Sequence, residues 1–129
     1  MENCSFCNLE NASDIEVLYS NELVFYCQNV RHQGSLKYSG NIVPINHRET
    51  VFDLTEEERN ATFKLLRKVK DSIEQKYSPD GYNVGWNCYE IGGQILPFHA
   101  HMHVMPRFKQ EPLAGKGIRY FLKSDMNKW

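Results

Sequence analysis

The apolar positions of this chain follow two periods. From residue 14 to 28, DIEVLYSNELVFYCQ, β-branched and aromatic residues flank the polar triplet Ser20-Asn21-Glu22. That pattern predicts two short strands with a turn between them. Residues 29–36 are polar and irregular. Residues 37–45, KYSGNIVPI, predict a third strand, with Gly40 at a bulge and Pro44 near its end. The period then lengthens. Leu66, Val69, Ile73 and Tyr77 form an apolar stripe at helical spacing, with Phe63 or Leu65 at its edge. Thr55 as N-cap and Glu58 three residues on make a capping box, so a helix is predicted over 56–77. Ser78-Pro79-Asp80-Gly81 stops it. Residues 82–88 return as a strand, and 89–97 form a loop with Gly92-Gly93. Residues 98–105, FHAHMHVM, alternate strictly and predict a strand that Pro106 ends. Residues 118–122 predict a last strand. Strands, one long helix, then strands suggest an α+β fold with a mainly antiparallel sheet.

Composition narrows the class. With 129 residues and 41% hydrophobic positions, the chain is long enough for one core, and residues 1–129 are expected to form a single domain. Fifteen basic and sixteen acidic residues leave a net charge of -1. That balance argues against a protein that coats nucleic acid or anionic lipid. No apolar run approaches the ~20 residues of a membrane span, so no membrane partner is expected. The polar start, MENCSFCNLENASD, carries no visible signal peptide, which points to a cytoplasmic protein. Four cysteines in that setting suggest metal or redox chemistry before disulfides.

Chemistry concentrates in the alternating strand. Side chains at i, i+2 and i+4 of a strand share a face. His99, His101 and His103 therefore share one, and Ala100, Met102 and Val104 should face the core. A single such histidine is ordinarily solvated; three in a row beside a Gly-Gly-Gln loop suggest a site. Imidazole is a common zinc ligand. A neutral imidazole can also attack phosphorus and form a covalent intermediate, while its neighbours donate hydrogen bonds to phosphate oxygens. The Gly92-Gly93 loop could bring backbone N–H groups close to an anion. Cys4 and Cys7 form a C-x-x-C that zinc, redox chemistry or chance could explain. Cys27 and Cys88 are expected to be buried thiols, His32 solvated, Trp86 part of the core, and Arg107 either ion-paired or facing phosphate.

H-A-H-M-H-V-M at 99–105 resembles the signature of the histidine triad, or HIT, family. Y-N-V-G-W-N at 82–87, G-G-Q at 92–94, C-S-F-C at 4–7, I-V-P-I-N-H at 42–47 and V-F-D-L-T-E-E-E at 51–58 also resemble it, over about residues 4–122. The likeness is to zinc-binding bacterial members close to diadenosine-polyphosphate hydrolases. It implies a HIT-like fold: a roughly five-stranded antiparallel sheet, one long helix and a shorter one, in a homodimer, with a C-terminal tail at 109–129. It implies a nucleotide hydrolase or transferase that cleaves a phosphoanhydride or phosphoramidate at the α-phosphorus and releases AMP. His101 would be the nucleophile, His103 would bond a phosphate oxygen, and His99 would support the site. Asn87 and Gln94 would bind the substrate. Cys4, Cys7, His47 and His99 would hold a structural zinc. A nucleotide-binding or sensor protein without efficient turnover is the alternative. Three departures stand out. Four residues, Ile95 to Phe98, separate Gln94 from His99, where many members have three. Ser39 replaces a histidine that zinc-binding members usually have. The residue for the ribose hydroxyls falls among Cys27, Gln28 and Asn29.

Overall fold

The computed structural model describes residues 1–129. Five strands, β1 (Ile15–Ser20), β2 (Val24–Asn29), β3 (Gly40–Pro44), β4 (Gly81–Trp86) and β5 (Met102–Arg107), form one antiparallel sheet in the order β1-β2-β3-β5-β4. A long helix, α1 (Glu56–Tyr77), connects β3 to β4, and a short one, α2 (Tyr120–Lys123), lies in the tail. The capping box forms as expected: Thr55 Oγ1 accepts the Glu58 N–H, and Glu58 accepts the Thr55 N–H.

Helix α1 covers one face of the sheet. Leu65, Val69 and Ile73 pack against Val24, Tyr26, Ile42, Met102 and Val104. The buried stripe is therefore Leu65-Val69-Ile73, one residue away from the expected register at its start. Phe63 and Tyr77 stay exposed, although Tyr77 stacks on Tyr38 with ring centroids 3.5 Å apart. The other face carries a smaller cluster, Phe25, Cys27 and Val43, packed against Phe6 and Leu9 of the N-terminal segment and Ile15 of β1. Strand alternation assigns the histidines to this second face, since Ala100, Met102 and Val104 are buried as expected.

Several local expectations change. Strand β5 starts at Met102, so His99 and His101 precede it on backbone anchored by the Ala100 N–H to the Arg48 carbonyl, 2.7 Å. It also runs through Pro106 to Arg107. Pairing with β3 ends at Val104, so the imino nitrogen of Pro106 costs no ladder bond on that side. Gly40 begins β3, paired with Val104 of β5 without a register shift, and is no bulge. A Cβ there would sit 2.5 Å from the Cys27 carbonyl and the Tyr26 hydroxyl, so close approach explains the glycine. Residues 118–122 form no strand: bonds from Tyr120 N to Gly117 O and from Leu122 N to Arg119 O wind them into α2. A short apolar run without a partner edge does not by itself select strand over helix.

Glu58, in the first turn of α1, is buried but stays charged. Its carboxylate accepts Arg48 Nε–H at 2.9 and 3.2 Å and the Thr55 N–H at 2.8 Å. Burial alone would raise its pKa. The Thr55 N–H and the Arg48 guanidinium outweigh burial and hold it below the usual carboxylate range. Its contribution to stability is therefore complete above the unfolded value, about 4.3, and is lost as pH falls through the folded value. Glu58→Gln is expected to cost about 2 kcal/mol at neutral pH and less at pH ~3, which lies below the unfolded value. Urea denaturation at both pH values checks this, and an equal loss at both would refute a charged Glu58.

Candidate active site and metal centre

Two chain segments far apart in sequence meet around His99. The turn at Cys4–Asn8 is closed by Cys7 N–H and Asn8 N–H to the Cys4 carbonyl, at 3.2 and 3.1 Å. It presents both thiols inward. His47 follows β3, and His99 precedes β5. His99 Nε2–H donates to the Pro44 carbonyl at 2.8 Å, which leaves Nδ1 bare. That Nδ1 lies 3.3 Å from Cys4 Sγ and 3.5 Å from Cys7 Sγ, and His47 Nδ1 lies 3.2 Å from Cys7 Sγ. The four donor atoms all fall within 4.8 Å of one another, and none of the cysteines is in a disulfide. Tetrahedral zinc with ordinary bond lengths needs S···N edges of about 3.6 Å. The donor set thus fits a tetrahedral metal ion. His101 and His103 lie outside it. Burial is the main cause that raises the Cys4 thiol pKa, and a divalent cation is the charge that would reverse this.

His101 lies two residues beyond His99, just before β5. Its Nδ1 lies 2.9 Å from the His99 carbonyl. A carbonyl only accepts, so Nδ1 carries the proton and Nε2 holds the lone pair. No buried side-chain nitrogen or oxygen lacks a partner, so that Nε2 is open to solvent. His103 stands beside it, ring centroids 4.9 Å apart, with Nδ1 3.3 Å from Asn41 Nδ2. Burial, first among the causes, pushes His99 and His103 down to about 4 and lowers His101 as well. The row is therefore neutral at physiological pH.

A cavity of about 670 Å³ opens over these rings. His99, His101, His103, Asn87, Asn29 and Cys27 line it. Gln28 does not; its amide donates to the Tyr26 hydroxyl and, at 3.4 Å, to the Tyr38 carbonyl. Of the three ribose candidates, Cys27 is buried with its thiol pushed up to about 12, which leaves Asn29 as the polar one at the cavity. Asn87 is exposed there, just past the end of β4. Gly93, at φ +103, lets the loop pass it: a Cβ would come 3.3 Å from Asn87 Nδ2.

The structure does not bring Gln94 to the cavity. Its side chain is buried, donating to the Glu49 carbonyl at 2.7 Å and accepting the Tyr89 N–H at 2.8 Å. The N–H groups of Gly92, Gly93 and Gln94 are also spent inside the turn, on the carbonyls of Tyr89 and Glu90. The donors available to a ligand are therefore side chains rather than this loop's backbone. Arg107 is pinned away from the triad by Glu111 at 2.6 Å and by the Leu113 and Lys116 carbonyls. Trp86 packs against the core, edge-on to Phe63.

The sequence assigns no role in the site to three of the cavity residues. His32, expected in solvent, lines the rim. Phe6 places its ring centroid 5.3 Å from that of His101 and 5.6 Å from that of His99. Asn41 faces His103 only through the β3–β5 register. Cross-strand register was the missing information in that case.

The model of the HIT domain matches residues 11–110. A Bacillus subtilis protein named Protein hit is 32% identical over 109 residues, covering 83% of this chain and 72% of its own. The asymmetrical bis(5'-nucleosyl)-tetraphosphatase of Schizosaccharomyces pombe is 37% identical over 59 residues, covering 46% of this chain but only 32% of its own. The crystal structure of a HIT family protein from Bacillus anthracis superposes with a TM-score of 0.78 at 26% identity, over 99% of this chain and 86% of that one.

Proposed function

The chain belongs to the HIT domain family, and from that premise we propose that it is a hydrolase of nucleoside phosphoanhydrides or phosphoramidates, with diadenosine polyphosphates as the leading substrates. The observation that carries this reading is the His101 Nδ1–H bond to the His99 carbonyl, which aims a bare Nε2 into the cavity. In the first step His101 Nε2 forms a bond to the α-phosphorus, and the bond from phosphorus to the leaving oxygen or nitrogen breaks with its electron pair. In the second step water attacks the phosphorus of the nucleotidyl-histidine, its proton passes to solvent and the bond from phosphorus to Nε2 breaks. AMP is released and the lone pair returns to Nε2. His103 and Asn87 donate to the phosphate oxygens.

His99 acts through its carbonyl on His101 and through Nδ1 on the metal. Zinc is the ion that two thiolates and two imidazoles fit best. Bound there by Cys4, Cys7, His47 and His99, it would supply cross-linking of the N-terminal segment to the triad. Thiolate ligands suit the reducing cytoplasm. We also read the chain as a homodimer, because β4 is an open sheet edge that a second copy would cover. Sedimentation should give twice the 15.1 kDa chain mass; a monomer at micromolar concentration would refute it.

Incubation with diadenosine tetraphosphate and with adenosine 5'-phosphoramidate tests the activity by release of AMP. One observation favours a second reading, nucleotide binding with little turnover: Gln94 is spent on backbone partners. A wild-type chain that binds AMP but turns over neither compound would establish that reading and sink the first.

A further inference from the structure

Asn41 and His103 are direct partners in the β3–β5 register, so their side chains share the cavity face. The contact between them is Asn41 Nδ2 to His103 Nδ1, 3.3 Å. An amide nitrogen has no lone pair to offer; it can only donate. His103 Nδ1 must then be the acceptor, and its proton must sit on Nε2. His101, 4.9 Å away between ring centroids, is in the opposite state, with the proton on Nδ1 and the lone pair on Nε2. We propose that Asn41 is a positioning residue that locks His103 in the Nε2–H tautomer, so that the two neighbouring rings present one lone pair and one proton to the same phosphoryl group.

The complementarity matters because an anion oxygen is repelled by a lone pair. With its proton on Nδ1, His103 would turn a bare nitrogen toward the phosphate, and a stabilising donor would become a repulsive contact. Burial keeps His103 neutral, so a second proton does not remove the choice between tautomers. Its catalytic consequence rests on the hydrolase reading; the tautomer itself does not.

The test separates the two. Long-range 15N–1H correlation spectra of the full-length, metal-loaded chain at neutral pH report which nitrogen of each ring carries hydrogen. The expected pattern is an unprotonated Nδ1 and a protonated Nε2 for His103, reversed for His101, with a scalar coupling between an Asn41 amide proton and His103 Nδ1. Asn41→Asp replaces the donor by an acceptor in place and should move hydrogen onto Nδ1. Asn41→Leu keeps the size but removes the donor. It should bring a second His103 tautomer into exchange and lower kcat about tenfold, with KM changed less. A wild-type His103 protonated on Nδ1 would overturn the assignment, as would an Asn41→Leu chain with unchanged tautomer and kcat. The expected spectra in a chain that hydrolyses nothing would uphold the tautomer lock and defeat the hydrolase reading.

Discussion

His101→Ala is expected to abolish turnover of diadenosine tetraphosphate, with kcat lower by on the order of 10⁴ or more. Neither neighbouring imidazole of the triad can replace it. His99 spends Nε2 on the Pro44 carbonyl and aims Nδ1 at the thiols, and His103 presents a proton. AMP binding should change only a few-fold, and stability by about 1 kcal/mol for the lost bond to the His99 carbonyl. Retention of a tenth of the wild-type rate would rule His101 out as nucleophile.

The same imidazole dictates the pH profile. An ordinary histidine would protonate near ~6.5, and activity would fall from there. Burial lowers His101 instead. A lowered pKa means a larger neutral fraction at any given pH, so the acid limb of kcat/KM should lie clearly below that value. A midpoint at or above ~6.5 would contradict a buried neutral nucleophile. Metal content is measured alongside, because the ligands also take up protons in acid.

Loss of the metal is the second large effect. Elemental analysis should find one metal ion per chain. Cys7→Ser, at the more exposed of the two thiols, should lose it and destabilise the fold by about 3 kcal/mol or more, roughly 10 °C in Tm. Prolonged incubation of the wild type with a chelator should do the same. Activity should fall with it, because the Cys4–Cys7 turn holds Phe6 against His101 and His99 provides the carbonyl that orients the nucleophile. A chain without stoichiometric metal, or one with unchanged Tm after metal removal, would defeat the assignment.

Local patterns went far here for physical reasons. The span of α1 follows from a capping box and a stop signal that act within a few residues. The two-residue alternation of 99–104 already separates the histidines from Ala100, Met102 and Val104, which are buried accordingly, although only His103 of the triad lies within β5. The ligand set Cys4, Cys7, His47 and His99 could be named because the family resemblance supplied the long-range link that spacing lacks; the structure brings those donors together.

What the chain's residues determine unaided is therefore the inventory: which side chains can ligate, attack or donate, and on which face of a strand or helix they stand. Tertiary structure decides what each is free to do. Gln94 has the right chemistry for a phosphate but spends it on Glu49 and Tyr89. Asn41 looks like any strand polar residue until register sets it against His103. The protonation pattern of the triad depends on carbonyls and an amide brought in from other segments. A hydrogen-bond partner acts over about 3 Å, and contacts that short between distant segments exist only once the sheet is assembled.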